Sequence, residues 1–156
     1  MEIMQGRAVI AGDATGELLV SPEPLSFWGG YDYHSGEIID RRHALSGQIA
    51  AGRVLVLPFT RGSSTTTQVL LEAIRSGTAP AAIVSTEADS FLALASIVAQ
   101  EMYGRVLPIL VLSEEDCGRL QTGSWVRIVG EQLLLNGPNG GLPCLSGSQP
   151  PSGKRA

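Results

Sequence analysis

The sequence predicts an α/β domain in which parallel strand-helix units are flanked by hairpins, and three observations predict it. A strand, a polar turn and an amphipathic helix follow one another twice between Arg53 and Tyr103, and a further strand comes next; this alternation produces a parallel layer. Short β-patterned segments stand before and after that block. A chain of 156 residues has the length of one domain with its own core.

Taken in order, Arg7 to Ala11 and Glu17 to Ser21 read as short strands joined through Gly12, Asp13 and Gly16, a hairpin. Pro22 to Gly52 has little periodicity, and so long a connection is functional or disordered. Its aromatics Phe27, Trp28, Tyr31 and Tyr33 argue against disorder, and Phe27 with Trp28 is expected to pin the loop to the core.

From Arg53, RVLVLP reads as a buried strand, RGSSTTT as a polar turn, and QVLLEAIRSG as a helix with Val69, Leu70, Ala73 and Ile74 inward, ended by Gly77. The second unit is AAIVST, then a helix over Asp89 to Tyr103 with Phe91, Leu94, Ala95, Val98 and Met102 on its apolar side. LPILVL follows as a strand, Glu114 to Leu120 as a short helix, and SWVRIV with QLLLN as a hairpin closed at Gly130. Beyond Asn136 the sequence is rich in Gly, Pro and Ser without periodicity, so the domain is assigned to residues 1–136 and a disordered tail to 137–156.

Composition narrows the function. Eleven basic against fifteen acidic residues give a net charge of −4 with no clustered Lys/Arg face, which argues against a nucleic-acid partner. The longest apolar runs, such as Val106 to Leu112, fall far short of a membrane span, and the opening MEIMQGR lacks the pattern of a secretion signal. A cytoplasmic protein is expected. The cysteines, Cys117 and Cys144, have no C-x-x-C spacing and read as free thiols. They are too few for a zinc site or an iron–sulfur cluster within this chain.

The sharpest chemical feature is Pro58 to Thr67, PFTRGSSTTT, between a buried strand and a helix. Such a junction gathers backbone N–H groups and the positive end of a helix dipole, which stabilises an anion or a developing alkoxide. Gly62 permits the turn, Arg61 can grip a carboxylate or phosphate bidentately, and the hydroxyls of Ser63, Ser64, Thr65, Thr66 and Thr67 crowd the same place. Helix capping alone accounts equally well for any one of these hydroxyls, though five exceed what a cap needs.

A second cluster is PLSFWGGYDYHSGEIID, Pro24 to Asp40, where adjacent glycines allow unusual backbone and Ser26, Asp32 and His34 are placed to converge on a ligand. A loop simply anchored by its aromatics is the bland alternative. His43 is a possible base or ligand, against the commoner role of a hydrogen-bonded structural histidine. There is no G-x-S-x-G, Walker A, H-E-x-x-H or G-x-G-x-x-G sequence. A catalytic role therefore implies part of a site, completed elsewhere.

The ordered set PLSFWGGYDYHSGEIIDRRHALSGQIAAGRVLVLP, the RGSS loop and LLEAIRSGTAPAAIVSTEAD resembles the aconitase X swivel domain, over about Arg7 to Val129. The resemblance implies a swivelling β/β/α domain like the fourth domain of aconitase. It also implies a large partner subunit holding an iron–sulfur cluster, with no cofactor or metal bound by this chain, and hydro-lyase activity only in the two-chain complex. The substrate is a small hydroxy acid: cis-3-hydroxy-L-proline, dehydrated to a pyrroline carboxylate, or mevalonate 5-phosphate. By resemblance the general base is Ser63, with Ser64 as the alternative. Substrate contacts fall on Arg61 and Gly62 and on the SF-x-GG-x-D loop, here Ser26, Phe27, Gly29, Gly30 and Asp32.

The resemblance assigns the proton to the serine, whose alkoxide the helix N-terminus and Arg61 stabilise, and the departing hydroxyl to the partner's iron as Lewis acid. The aromatic loop and the scarcity of basic residues beyond Arg61, Arg41 and Arg42 favour cis-3-hydroxy-L-proline. Two other classes of answer stand beside this. A phosphohistidine swivel domain requires a histidine in the loop, which SSTTTQVLL lacks. A non-catalytic swivel-fold binding module is the third, since fold does not fix function.

Overall fold

A computed structural model describes residues 2–61 and 64–136. The tail assignment for 137–156, Cys144 within it, and the loop residues Gly62 and Ser63 lie outside the described residues. Along the chain run β1 (Glu2–Gln5), β2 (Arg7–Ile10), β3 (Asp13–Val20), β4 (Val54–Leu57), α1 (Ser64–Ser76), β5 (Ala82–Ser85), α2 (Ser90–Tyr103), β6 (Ile109–Val111), α3 (Glu114–Gly118), β7 (Trp125–Val129) and β8 (Gln132–Leu135).

The described strands form one mixed sheet in the order β1-β8-β7-β3-β4-β5-β6-β2. β3 joins its two halves: Leu18 to Val20 pair parallel with Val54 to Val56 of β4, while Asp13 to Glu17 pair antiparallel with β7. The strand-helix units make the parallel run β3-β4-β5-β6, and the β7-β8 hairpin closes the antiparallel half around Gly130, at φ 58°. The expected α/β class therefore stands.

The N-terminal hairpin does not form. β2 pairs antiparallel with β6 and β1 with β8, so consecutive strands occupy opposite ends of the order. Gly12 lacks the left-handed φ that a tight hairpin turn requires, and it instead lets the chain pass Pro108, whose Cγ lies 2.9 Å from where a Cβ would stand. Only Gly6 separates β1 from β2, so the sheet curls until its two ends meet at that residue. A side chain there would collide with the Val111 carbonyl at 2.6 Å, and the Gly6 amide donates to the Glu131 carbonyl at 2.7 Å.

Alternation along the central strands divides the core in two. Val54 and Val56, Ala82 and Val84, and Leu110 face the curled interior with Met4, Leu18, Val126, Ile128 and Leu133. Leu55 and Leu57, Ile83 and Ile109 face α1, α2 and the long connection, where Leu25, Phe27, Ile38, Leu70, Ala73 and Ala95 meet them. Strands buried on both faces explain the unbroken apolar runs VLVL and AIV.

α1 buries Thr66, Leu70, Ala73 and Ile74 and stops at Gly77, whose φ of 76° is the left-handed conformation a helix end favours. α2 is capped by Asp89, which accepts from the amides of Phe91 and Leu92, and ends at Gly104. Its buried side is Leu92, Ala95, Ser96 and Ala99; of the expected side only Ala95 is buried, since Val98 is half-buried and Phe91, Leu94 and Met102 are exposed. Nearly every position of SFLALASIVA is apolar, so periodicity is a weak guide; small residues and Ser96 choose the face. Ser96 Oγ donates to the Leu107 carbonyl at 2.8 Å and accepts the Leu107 amide at 3.1 Å, tying α2 to the approach of β6. No helix among the described residues is long and apolar enough to cross a membrane.

Candidate active site

Chain segments converge beyond the carboxyl ends of the parallel strands. β3 runs out at Ser21, and β4 runs out into Pro58, Thr60 and Arg61. Leu25 bridges Thr60 in parallel, and the Arg61 amide donates to the Leu25 carbonyl at 3.0 Å. The segment carrying Ser26 is thereby stitched to the loop leading to α1. The Thr60 hydroxyl donates to the second carboxylate oxygen of Asp89, and Thr67 Oγ1 donates to the Phe91 carbonyl at 2.8 Å, so the start of α1 is fastened to the start of α2.

His43 braces the third segment from inside. It is buried, its Nδ1 accepts the Leu45 amide at 3.0 Å, and its Nε2 lies 3.1 Å from the Pro24 carbonyl and 3.3 Å from Ser21 Oγ. An accepting Nδ1 leaves the proton on Nε2, which donates toward Pro24 and Ser21. Glu23 Oε1 accepts the Ala44 amide at 2.7 Å across the same gap. Both ring nitrogens are occupied, so the structure places His43 as a holder of the segment between β3 and β4.

These segments enclose a cavity of about 280 Å³ lined by Glu23, Pro24, Ser26, Asp40, Arg42, His43 and Arg61. Ser26, Arg61 and His43 are thus brought together. Arg42, Asp40 and Glu23 were not singled out as site residues from the sequence, although the adjacent basic pair RR in DRRH was a visible signal. The Ser26 hydroxyl donates to the Trp28 carbonyl at 3.1 Å, which leaves its lone pairs available as acceptors.

The remainder of the SF-x-GG-x-D motif goes elsewhere. Phe27 is fully buried beside Tyr31, ring centroids 5.2 Å apart, so it pins the loop to the core, and its side chain lines neither cavity that the loop borders. Trp28 is 69% exposed and does not pin the loop. Gly29 and Asp32 line a different cavity, of about 550 Å³, between the loop and the outer side of α1 at Gln68 and Glu72. Gly29 adopts φ 74°, and Gly30 is buried with the Ser26 carbonyl lying where a Cβ would go. Asp32 works as a turn cap: Oδ1 accepts the His34 amide at 2.8 Å and Oδ2 the Ser35 hydroxyl at 3.0 Å. The His34 amide first, and the Ser35 hydroxyl, hold its carboxyl below the usual carboxylate range.

Of the five hydroxyls before and within α1, Ser63 lies outside the described residues with Gly62, and Ser64 is the first helical residue and exposed. Thr66 is buried, its hydroxyl without a partner among the described residues, and Thr67 belongs to the α1–α2 fastening. The described residues do not suit a metal cluster: no group of three or more His, Cys, Asp or Glu side chains is close enough to hold an ion. Cys117 stands apart within α3, its thiol pushed up to about 11 by burial and by Asp116, the opposite of the thiolate a cluster requires.

A family model described as the aconitase X swivel domain matches residues 3–135. The chain is 50% identical over 130 residues to a cis-3-hydroxy-L-proline dehydratase of Pseudomonas aeruginosa, covering 83% of this chain and 22% of that protein. It is 36% identical over 137 residues to a phosphomevalonate dehydratase small subunit of Thermococcus gammatolerans, covering 86% of this chain and 98% of that one. The holo form of Thermococcus kodakaraensis aconitase X superposes with a TM-score of 0.78 at 30% identity, covering 87% of this chain and 99% of the matched chain. The chain thus spans about a fifth of the Pseudomonas protein and nearly the whole of the archaeal subunit.

Proposed function

The chain belongs to the aconitase X swivel-domain family, and from that premise we propose that it is the small subunit of a two-chain hydro-lyase that dehydrates cis-3-hydroxy-L-proline to pyrroline-2-carboxylate. The observation that carries this reading is the cavity in which Ser26 and Arg61 meet directly before α1, the helix that Ser63 precedes. The higher identity to the hydroxyproline enzyme, 50% against 36%, supports the choice of substrate.

In this reading Ser63 takes the proton from the carbon beside the substrate carboxylate. The C–H electron pair becomes the new C=C bond, and hydroxide leaves the neighbouring carbon, so that proton and hydroxide together make one water. A serine hydroxyl is a weak base, and its alkoxide is stabilised by amides at a helix start and by a nearby guanidinium, here that of Arg61. Ser64 is the alternative base. The iron–sulfur cluster, which supplies Lewis acidity when bound, we assign to the larger partner; this chain's part is confined to binding and to the proton. The free Cys117 suits a reducing cytoplasm.

The second reading, mevalonate 5-phosphate dehydration, is favoured by the near-complete coverage of the Thermococcus small subunit. Purifying the complex with its large subunit and assaying both substrates separates the two. In that complex Ser63→Ala is expected to abolish dehydration while leaving assembly intact, with Ser64→Ala retaining activity. Full activity of Ser63→Ala removes Ser63 from the base role.

A further inference from the structure

We propose that Arg42 is a second anchor for the substrate carboxylate, facing the same cavity as Arg61; this rests on the dehydratase reading and extends it to a residue outside the SF-x-GG-x-D and RGSS sequences. Three of the nine described arginines are held in ion pairs. Arg53 pairs with Glu17, Arg75 with Glu72, and Arg119 with Glu2 and Asp116. Arg42 and Arg61, like Arg7, Arg41, Arg105 and Arg127, have no ion pair among the described residues; what sets these two apart is that they line one cavity, with Glu23 and Asp40 beside them.

Those acids are engaged by backbone. Glu23 Oε1 accepts the Ala44 amide at 2.7 Å, and Asp40 Oδ1 accepts the amide of Arg42 itself at 3.0 Å. Two guanidiniums from separate loops are left for an anion from outside. A planar fork reading a carboxylate bidentately is the interaction arginine makes best, and two forks on one carboxylate fix its orientation as well as its place. A cavity of about 280 Å³ suits a small hydroxy acid.

The backbone beneath Arg42 is held in advance. Its amide is tied to Asp40, and the next residue, His43, is fixed through both ring nitrogens to Leu45, Pro24 and Ser21. Arg61 is held from its own side by the Leu25 carbonyl. Little ordering of the chain is then left for the substrate to cost.

The test uses the reconstituted two-chain complex with cis-3-hydroxy-L-proline and its carboxamide. Arg42→Gln is expected to raise KM for the acid about tenfold with kcat changed less than about threefold, Arg42→Lys to recover part of the loss, and the preference for acid over carboxamide to shrink in Arg42→Gln. An unchanged KM, or an undiminished preference for the acid, overturns the proposal while leaving the dehydratase reading in place. A wild-type complex that dehydrates neither substrate sinks the dehydratase reading instead. Calorimetric titration with L-proline then decides the anchor independently: binding about tenfold weaker in Arg42→Gln supports it, and equal binding, or none to the wild type, overturns it.

Discussion

Thr60 donates its hydroxyl to the Asp89 carboxylate while the other oxygen of that carboxylate caps α2 through the amides of Phe91 and Leu92. One side chain therefore sets the start of a helix and the course of the loop that leads to Ser63. Asp89→Ala is expected to cost about 1–2 kcal/mol of stability through the lost cap, and to lower kcat of the complex at temperatures where the fold is intact. Asp89→Asn keeps an accepting oxygen and should recover most of the stability. Denaturant titration and steady-state kinetics read the two effects; a stable Asp89→Ala protein with unchanged kcat contradicts the link.

His43 contributes through contacts rather than through charge. His43→Ala empties a buried position and leaves the Leu45 amide and the Pro24 carbonyl without partners, a loss of about 2–4 kcal/mol. The expected kinetic signature is a raised KM, because Ser26 and Arg42 flank the segments it braces. If His43→Ala keeps wild-type stability in urea and loses only kcat, the histidine acts on the reaction directly and the bracing account is wrong.

The two adjacent glycines do different work. Gly29 needs its left-handed φ of 74° but has open space around it, whereas at Gly30 an added methyl runs into the backbone of Ser26. Gly29→Ala is expected to cost about 1–2 kcal/mol, and Gly30→Ala more, with displacement of Ser26 and a drop in kcat/KM. Thermal melts of the two variants give the order; equal melting temperatures would speak against the close approach at Gly30.

Asp32 predicts a sign for the acid side of the stability profile. Its carboxyl is held below its ordinary value in the fold, by the His34 amide first. Its contribution is therefore complete above the unfolded-state value and is lost as pH falls through the lower folded value. Asp32→Asn should flatten the acid limb below the ordinary carboxylate range and leave the profile near neutrality with the same slope. Urea midpoints collected from pH 7 downward check this, and an unaltered acid limb rules it out.

Much of the parallel core was legible because the apolar runs and the terminal glycine Gly77 are local signals. The mispairing of Arg7 to Ile10 was not, since nothing local says which distant edge a short strand will cover. The outer face of α2 was misread for a related reason, as a helix apolar nearly all round shows its buried side only through the contacts it finds. Within the site, Ser26 and Arg61 were readable from motif and placement. Phe27 pins the loop as expected while Trp28 stays exposed, because two adjacent aromatics look the same in sequence whichever of them turns inward. Arg42 was visible as half of a basic pair, but only the fold shows that it lines one cavity with Arg61.

The junction at Gly6 ties the far margins of the sheet to one short stretch of chain. Slipping β1 against β8 by a residue would drag β2 along β6 by the same step, reversing inside and outside at both margins together. The two margins of the sheet therefore hold their registers as a buckled hoop does, each end fixed by the other through one residue.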